Sequence, residues 1–161
     1  MPLRTIAVTA LISFVPIFEL RGAIPYALSQ NLSFGIALPL CIVVNAFVGP
    51  AVFVFLSTLH RSFSRFRWYQ RSFDYLVRRA RDRIHAKIEK YGYLGLALFV
   101  AIPLPITGAY TGALGAWVLG LKPAKSFLAI TLGVGIAGII VTIVSYLGIE
   151  ALSLFIKRVS L

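Results

Sequence analysis

The sequence predicts an all-α integral membrane protein built as an inverted repeat. Each copy is a re-entrant helical hairpin followed by a transmembrane helix, and a basic amphipathic helix joins the two. Three observations predict this. Of 161 residues, 59% are hydrophobic and only 13% charged, a balance too apolar for a soluble domain of this size. Uncharged runs extend from Leu32 to Leu59, from Tyr91 to Leu121 and from Ser126 to Ile149, each longer than the roughly 20 residues a helix needs to cross a hydrocarbon core. Two apolar segments also carry chain breakers where a simple spanning helix would carry none. Continuous apolar runs lack the alternation of barrel strands, so helices must satisfy the backbone in lipid.

The first element covers residues 5–31. Thr5 to Phe18 is too short to span before Glu19, and Gly22 to Leu28 is shorter still. A single helix through both would hold Glu19 and Arg21 near the bilayer centre, at about 2.5–3.5 kcal/mol each. Residues two apart point to different sides of a helix, so the charges would not neutralise one another there. A chain that breaks at Pro16 and Gly22 and turns back brings them together. The second element, 32–59, is a spanning helix containing Asn45, which either bonds to another helix or faces a cavity.

The connector, 60–91, holds ten of the sixteen basic residues, which places it on the cytoplasmic side. Phe66, Tyr69, Phe73, Leu76, Ala80 and Ile84 recur at helical spacing. Arg65, Arg67, Arg71, Arg78, Arg79, Arg81 and Arg83, with Trp68, suit a helix lying on anionic lipid. Arginines interleaved with aromatics are as natural at a membrane as on nucleic acid, and the setting favours the membrane.

The second hairpin, 92–121, contains "AIPLPITGAYTG". Pro103 and Pro105 remove backbone donors, Gly108 and Gly112 permit a reversal, and Thr107, Tyr110 and Thr111 supply hydroxyls. A spanning helix, 124–149, and a tail, 150–161, complete the chain. Shifting the sequence by 86 positions sets Gly22 on Gly108, Ala23 on Ala109, Ala27 on Ala113, Leu28 on Leu114 and Gly49 on Gly135. An odd number of crossings per copy makes the copies antiparallel, as in many secondary transporters. Four full crossings are the alternative: they place Arg4, Lys157 and Arg158 inside, where re-entrant hairpins place them outside.

Glu19 is the one carboxylate deep in an apolar run. Burial and a neighbouring cation act oppositely on its proton affinity, which suits proton coupling. "GVGIAG", Gly133 to Gly138, has the letters of a dinucleotide loop but no preceding strand, and reads as helix packing. His60 and His85 lack companions at ligand spacing. Cys41 stands alone, so no intramolecular disulfide forms. Neither a metal, a cofactor nor an enzymatic activity is expected.

At "ELRGAIPYAL" and "FVAIPLPITGAYTGAL" the chain resembles the small multidrug export protein family, distantly similar to the DedA/VTT membrane proteins, over about Thr5 to Ile149. The resemblance implies transport or lipid translocation through two re-entrant hairpins, with Glu19 and Arg21 the charged pair of the first. The arginines typical of the second DedA hairpin are missing here. The expected function is a small, multi-pass cell-membrane transporter, with proton coupling through Glu19, moving a small solute or lipid-linked anion. Its expected site is Glu19, Arg21, Pro25, Asn45, Thr107, Tyr110 and Thr111. The alternatives are an uncoupled lipid scramblase and a scaffold acting through the connector. Membrane lipids, anionic ones among them, and a second copy of the chain are the expected partners.

Overall fold

The computed structural model describes residues 2–58, 65, 67–104 and 107–159. They form six helices: α1 (Pro2–Phe14), α2 (Glu19–Ser29), α3 (Phe34–Thr58), α4 (Arg67–Ala101), α5 (Ala109–Val118) and α6 (Pro123–Val159).

α1 stops two residues before Pro16, which has no N–H to donate and disfavours helical geometry at Val15. The chain turns through 15–18 and re-enters helix at Glu19, which takes a left-handed φ of 47°. α2 then runs back along α1, so that Ile6 near the start of α1 meets Ala27 and Leu32 at the far end of α2. The second hairpin is built likewise. α4 is broken at Gly92, where φ is 56° and ψ −132°; beyond it an apolar arm, Tyr91–Ala101, leads to a second break at 102–108. α5 returns along that arm, and the Lys122 N–H at its end donates to the Tyr93 hydroxyl at the arm's beginning (3.1 Å). At about 1.5 Å per residue, the 13 residues of α1 and the 11 of α2 extend only about 20 and 16 Å, less than a hydrocarbon core.

Two of the expected breakers are not at breaks. Gly22 lies inside α2 and Gly112 inside α5, and each is small because of what presses on it: a Cβ would meet the Phe18 side chain at Gly22 and Val100 at Gly112. Pro16, Pro103 and Gly108 do lie in the breaks; Pro105 is outside the described residues.

Both hairpins end in the same turn. Leu32 N–H reaches back to the Ala27 carbonyl with Asn31 left-handed (φ 59°), and Leu121 N–H reaches back to Ala116 with Gly120 left-handed (φ 66°). A left-handed residue flanked by such a bond is a common helix stop, and Asn and Gly bear it most easily. The next helices also begin alike, with Ala37 N–H bonded to Ser33 and Ser126 N–H bonded to Lys122. These pairs lie 89 positions apart (33 and 122, 37 and 126), against the 86 at which the letters match. Seven residues separate Ala101 from Ala109, and four separate Phe14 from Glu19. Gly49 and Gly138 are also 89 positions apart.

α3 and α6 cross at these glycines. A Cβ at Gly49 would touch Ile130, and one at Gly138 would press on Leu38 and Ile42. The contacts are reciprocal and run in opposite directions along the two helices, so α3 and α6 are antiparallel. Gly133 lies against the Ala97 carbonyl and Val100 of α4, which makes "GVGIAG" a seam of close helix contacts. Phe34–Thr58 and Pro123–Gly148 are long and apolar enough to cross a bilayer. α6 continues to Val159, where the sequence suggested a tail. Val43, Phe47, Leu132, Ile136 and Val144 face outward, a surface suited to lipid and costly in water.

Of the connector, helix is described from Arg67. Arg65, Arg71 and Arg78 are exposed. Arg67, Trp68, Arg79, Arg81 and Arg83 belong to α4, their side chains outside the described set, as are His60 and Phe66 altogether. Phe73 stacks edge-on against Trp117 at the end of α5 (6.3 Å between centroids).

Candidate functional site at the hairpin tips

The two breaks meet. α2 begins with Glu19, buried to 3% exposure, and α5 begins after Gly108, which offers no side chain to cap its own helix. Glu19 supplies what Gly108 lacks. Its Oε1 accepts from the Tyr110 N–H (3.4 Å), and the Ala109 N–H also faces the carboxylate. The first amides of a helix have no partner within it and carry partial positive charge, so an anion is favoured there. The seat requires glycine at 108, because a Cβ would overlap the carboxylate.

Arg21, one residue beyond Leu20, joins the tips a second time. Its Nη1 lies 3.6 Å from Glu19 Oε2, while its Nη2 donates to the Ile102 carbonyl (3.3 Å) and to Thr107 Oγ1 (3.2 Å). Thr107 in turn donates to the carbonyls of Ile102 or Leu104 (2.7 and 2.8 Å), which outside the helix accept only the turn bonds of the Leu104 and Thr107 N–H groups from the described backbone. The Arg21 Nε is buried with no partner among the described residues. Tyr110 forms a third link: its hydroxyl donates to the Phe14 carbonyl at the end of α1, and its ring meets Phe14 edge-on at 6.4 Å.

The fold therefore brings together Glu19, Arg21, Thr107 and Tyr110 from the expected set. Asn45 stands beside them and not among them. Its Nδ2 donates to the Cys41 carbonyl of its own helix (3.0 Å) and to Ser13 Oγ (2.6 Å) and the Ser13 carbonyl (3.2 Å), the last two tying α3 to the last turn of α1. Its Oδ1 is buried without a partner among the described residues. Pro25 and Thr111 are half-buried in α2 and α5 and join none of the tip contacts among the described residues. Ser13 was not singled out in the sequence; nothing in "ALISFV" distinguishes it from a surface serine until Asn45 is placed opposite.

Chemically, the junction is a buried carboxylate and a guanidinium shared between two half-length hairpins, surrounded by the carbonyls of a helix break and a helix N-terminus. Such broken helices build ion and substrate sites in membrane transporters. A family model described as "Putative small multi-drug export protein" matches residues 19–140, a stretch that begins at Glu19 and ends within α6. No curated protein and no solved structure matches the sequence.

Proposed function

This chain belongs to the small multi-drug export protein family, with residues 19–140 matching its model, and from that premise we propose that it is a proton-coupled transporter, carrying proton and anion together, whose working site is the tip junction. The hairpins are re-entrant and the two halves form an inverted repeat. The short arms, the matching turns 89 positions apart and the reciprocal crossing at Gly49 and Gly138 support that reading. The observation that carries the function is Glu19 of one hairpin seated on the N-terminus of α5 in the other.

While ionised, Glu19 occupies both the α5 amides and Arg21. Protonation removes the charge that makes this seat favourable. Arg21, the α5 amides and Thr107 are then free to hold an anionic group of the cargo, and the halves are free to separate. Reionisation expels the group and rejoins the tips. Anionic lipid beneath α4 and a second copy of the chain enclosing the pathway belong to the same proposal.

The test is proton movement in proteoliposomes of the full chain loaded with a pH-sensitive dye, on addition of octyl phosphate as the anionic probe. The expected result is probe-dependent acidification or alkalinisation that Glu19→Gln abolishes. Proton movement unchanged in Glu19→Gln overturns the coupling. A lipid-scrambling activity that survives both Glu19→Gln and Arg21→Ala favours an uncoupled groove, and a function lost on neutralising connector arginines alone favours a scaffold.

A further inference from the structure

Beside the tip junction, three oxygens converge on one point between α1 and α3. The side-chain nitrogen of Asn45 has Ser13 Oγ at 2.6 Å, the Cys41 carbonyl at 3.0 Å and the Ser13 carbonyl at 3.2 Å. An amide has two N–H bonds to give, one fewer than the oxygens around it. Ser13, Cys41 and Asn45 are wholly buried. Asn45 stands near the middle of α3, a helix long and apolar enough to cross a bilayer, so the cluster lies near the centre of that span.

Two features mark this cluster as more than helix packing. Ser13 is in the last turn of α1, where carbonyls have no partner within the helix and carry partial negative charge, and no backbone N–H among the described residues reaches its carbonyl. Asn45 Oδ1 has no partner among the described residues either, although a buried polar atom without one is costly. A half-turn of the amide exchanges its oxygen and its nitrogen. Oδ1 would then stand 2.6–3.2 Å from the other three oxygens, a mutually repelling set unless a cation lies among them. Thr9 Oγ1, also buried and without a partner among the described residues, is one turn before Ser13 on the same face of α1.

We propose that Ser13 Oγ, Asn45 Oδ1 and the carbonyls of Ser13 and Cys41 bind a sodium ion at the carbonyl end of α1. The carbonyl ends of broken helices hold such ions in membrane transporters. The ligand set is uncharged, which argues against calcium and magnesium, whose sites are built on carboxylates. The close spacing of the oxygens suits a small monovalent ion and crowds potassium. The site is formed by α1 and α3 alone and does not rest on the coupling proposed for Glu19. A buried water is the rival occupant; it would satisfy Oδ1 without any preference among cations.

The experiment measures binding of radioactive sodium by equilibrium dialysis of the full chain in lipid nanodiscs, with choline chloride holding the ionic strength constant. Expected is saturable binding of one ion per chain, with potassium competing only at a concentration at least ten-fold higher than unlabelled sodium. Ser13→Ala removes one ligand and Asn45→Val another, and each should weaken binding at least ten-fold, while Ser57→Ala, exposed near the end of α3, leaves it unchanged. Replacing choline by sodium should raise the melting temperature of the parent and of neither site variant, and cooperative melting in choline shows which variants are folded. No saturable binding, undiminished binding in the folded site variants, or equal competition by potassium overturns the sodium site. Binding lost in Glu19→Gln and kept in Ser13→Ala assigns the ion to the tip carboxylate and overturns it equally.

Discussion

The carboxylate of Glu19 fills the space that a Cβ at Gly108 would need, so one residue of the first hairpin dictates the identity of one in the second. Gly108→Ala should therefore destabilise the protein by about 1–3 kcal/mol, the range for overpacking a filled site. The same substitution in a Glu19→Ala background should cost much less, because the obstructing group is gone. A double-mutant cycle on thermal stability in detergent measures the difference. Additive effects would mean that the two residues do not share that space.

Arg21 spans the junction through a planar fork, and a single point charge cannot reproduce three partners at once. Arg21→Ala should cost about 2–4 kcal/mol, since it leaves the buried Glu19 without its cation. Arg21→Lys should recover only part of this. Thr107→Val should weaken Arg21's hold by about 1 kcal/mol and should add little to Arg21→Ala. Chemical unfolding of the four proteins checks the pattern, and equal stability of Arg21→Lys and the parent would remove the fork from the account.

Tyr110→Phe keeps the ring contact with Phe14 and removes only the hydroxyl that satisfies the Phe14 carbonyl. A loss of about 1 kcal/mol is expected. Tyr110→Ala should cost clearly more, because the ring goes with the hydroxyl. Thermal unfolding of the pair separates bond from packing.

Much of this arrangement was legible in the sequence because breakers and charges are local signals. Pro16 and Pro103 stand at interrupted helices, although Pro39 and Pro50 lie inside the continuous α3, and Glu19 and Arg21 are too costly in lipid to be idle. The places where the sequence misled are places where the cause lies in another helix. Gly22 and Gly112 look like turn glycines, but Phe18 and Val100 make them small. The shift of 86 rests on letters common in any apolar chain, whereas turns and helix starts with the same backbone bonds lie 89 positions apart. Ser13 acquires meaning from Asn45, 32 positions away, and Asn31 reads as a polar linker residue until its left-handed turn is seen to match Gly120.

Asn45 ties α3 to α1 through two acceptors of Ser13 and donates to a third, the Cys41 carbonyl, on its own helix. Interhelical polar contacts in membranes average about 0.6 kcal/mol and reach about 1.7; a fully buried donor with several partners belongs at the upper end. Asn45→Val should cost about 1–2 kcal/mol. Asn45→Asp should cost more, because a carboxylate offers only acceptors to the carbonyls of Ser13 and Cys41. Greater stability of Asn45→Asp than of Asn45→Val would point to a protonated carboxyl donating in place of the amide.

The same substitution at two glycines should have opposite signs. Gly92 and Gly135 both have open space around a built Cβ, so sterics with neighbours do not distinguish them. Gly92 has a φ of 56°, which an L-residue adopts only at a cost of about 1–2 kcal/mol, and it sets the bend from the connector into the second hairpin. Gly135 is an ordinary position inside α6, where alanine is the better helix former by about 1 kcal/mol. Gly92→Ala should lower the melting temperature and Gly135→Ala should raise it. A gain from Gly92→Ala would mean that the chain runs straight at that position and that the connector does not turn there.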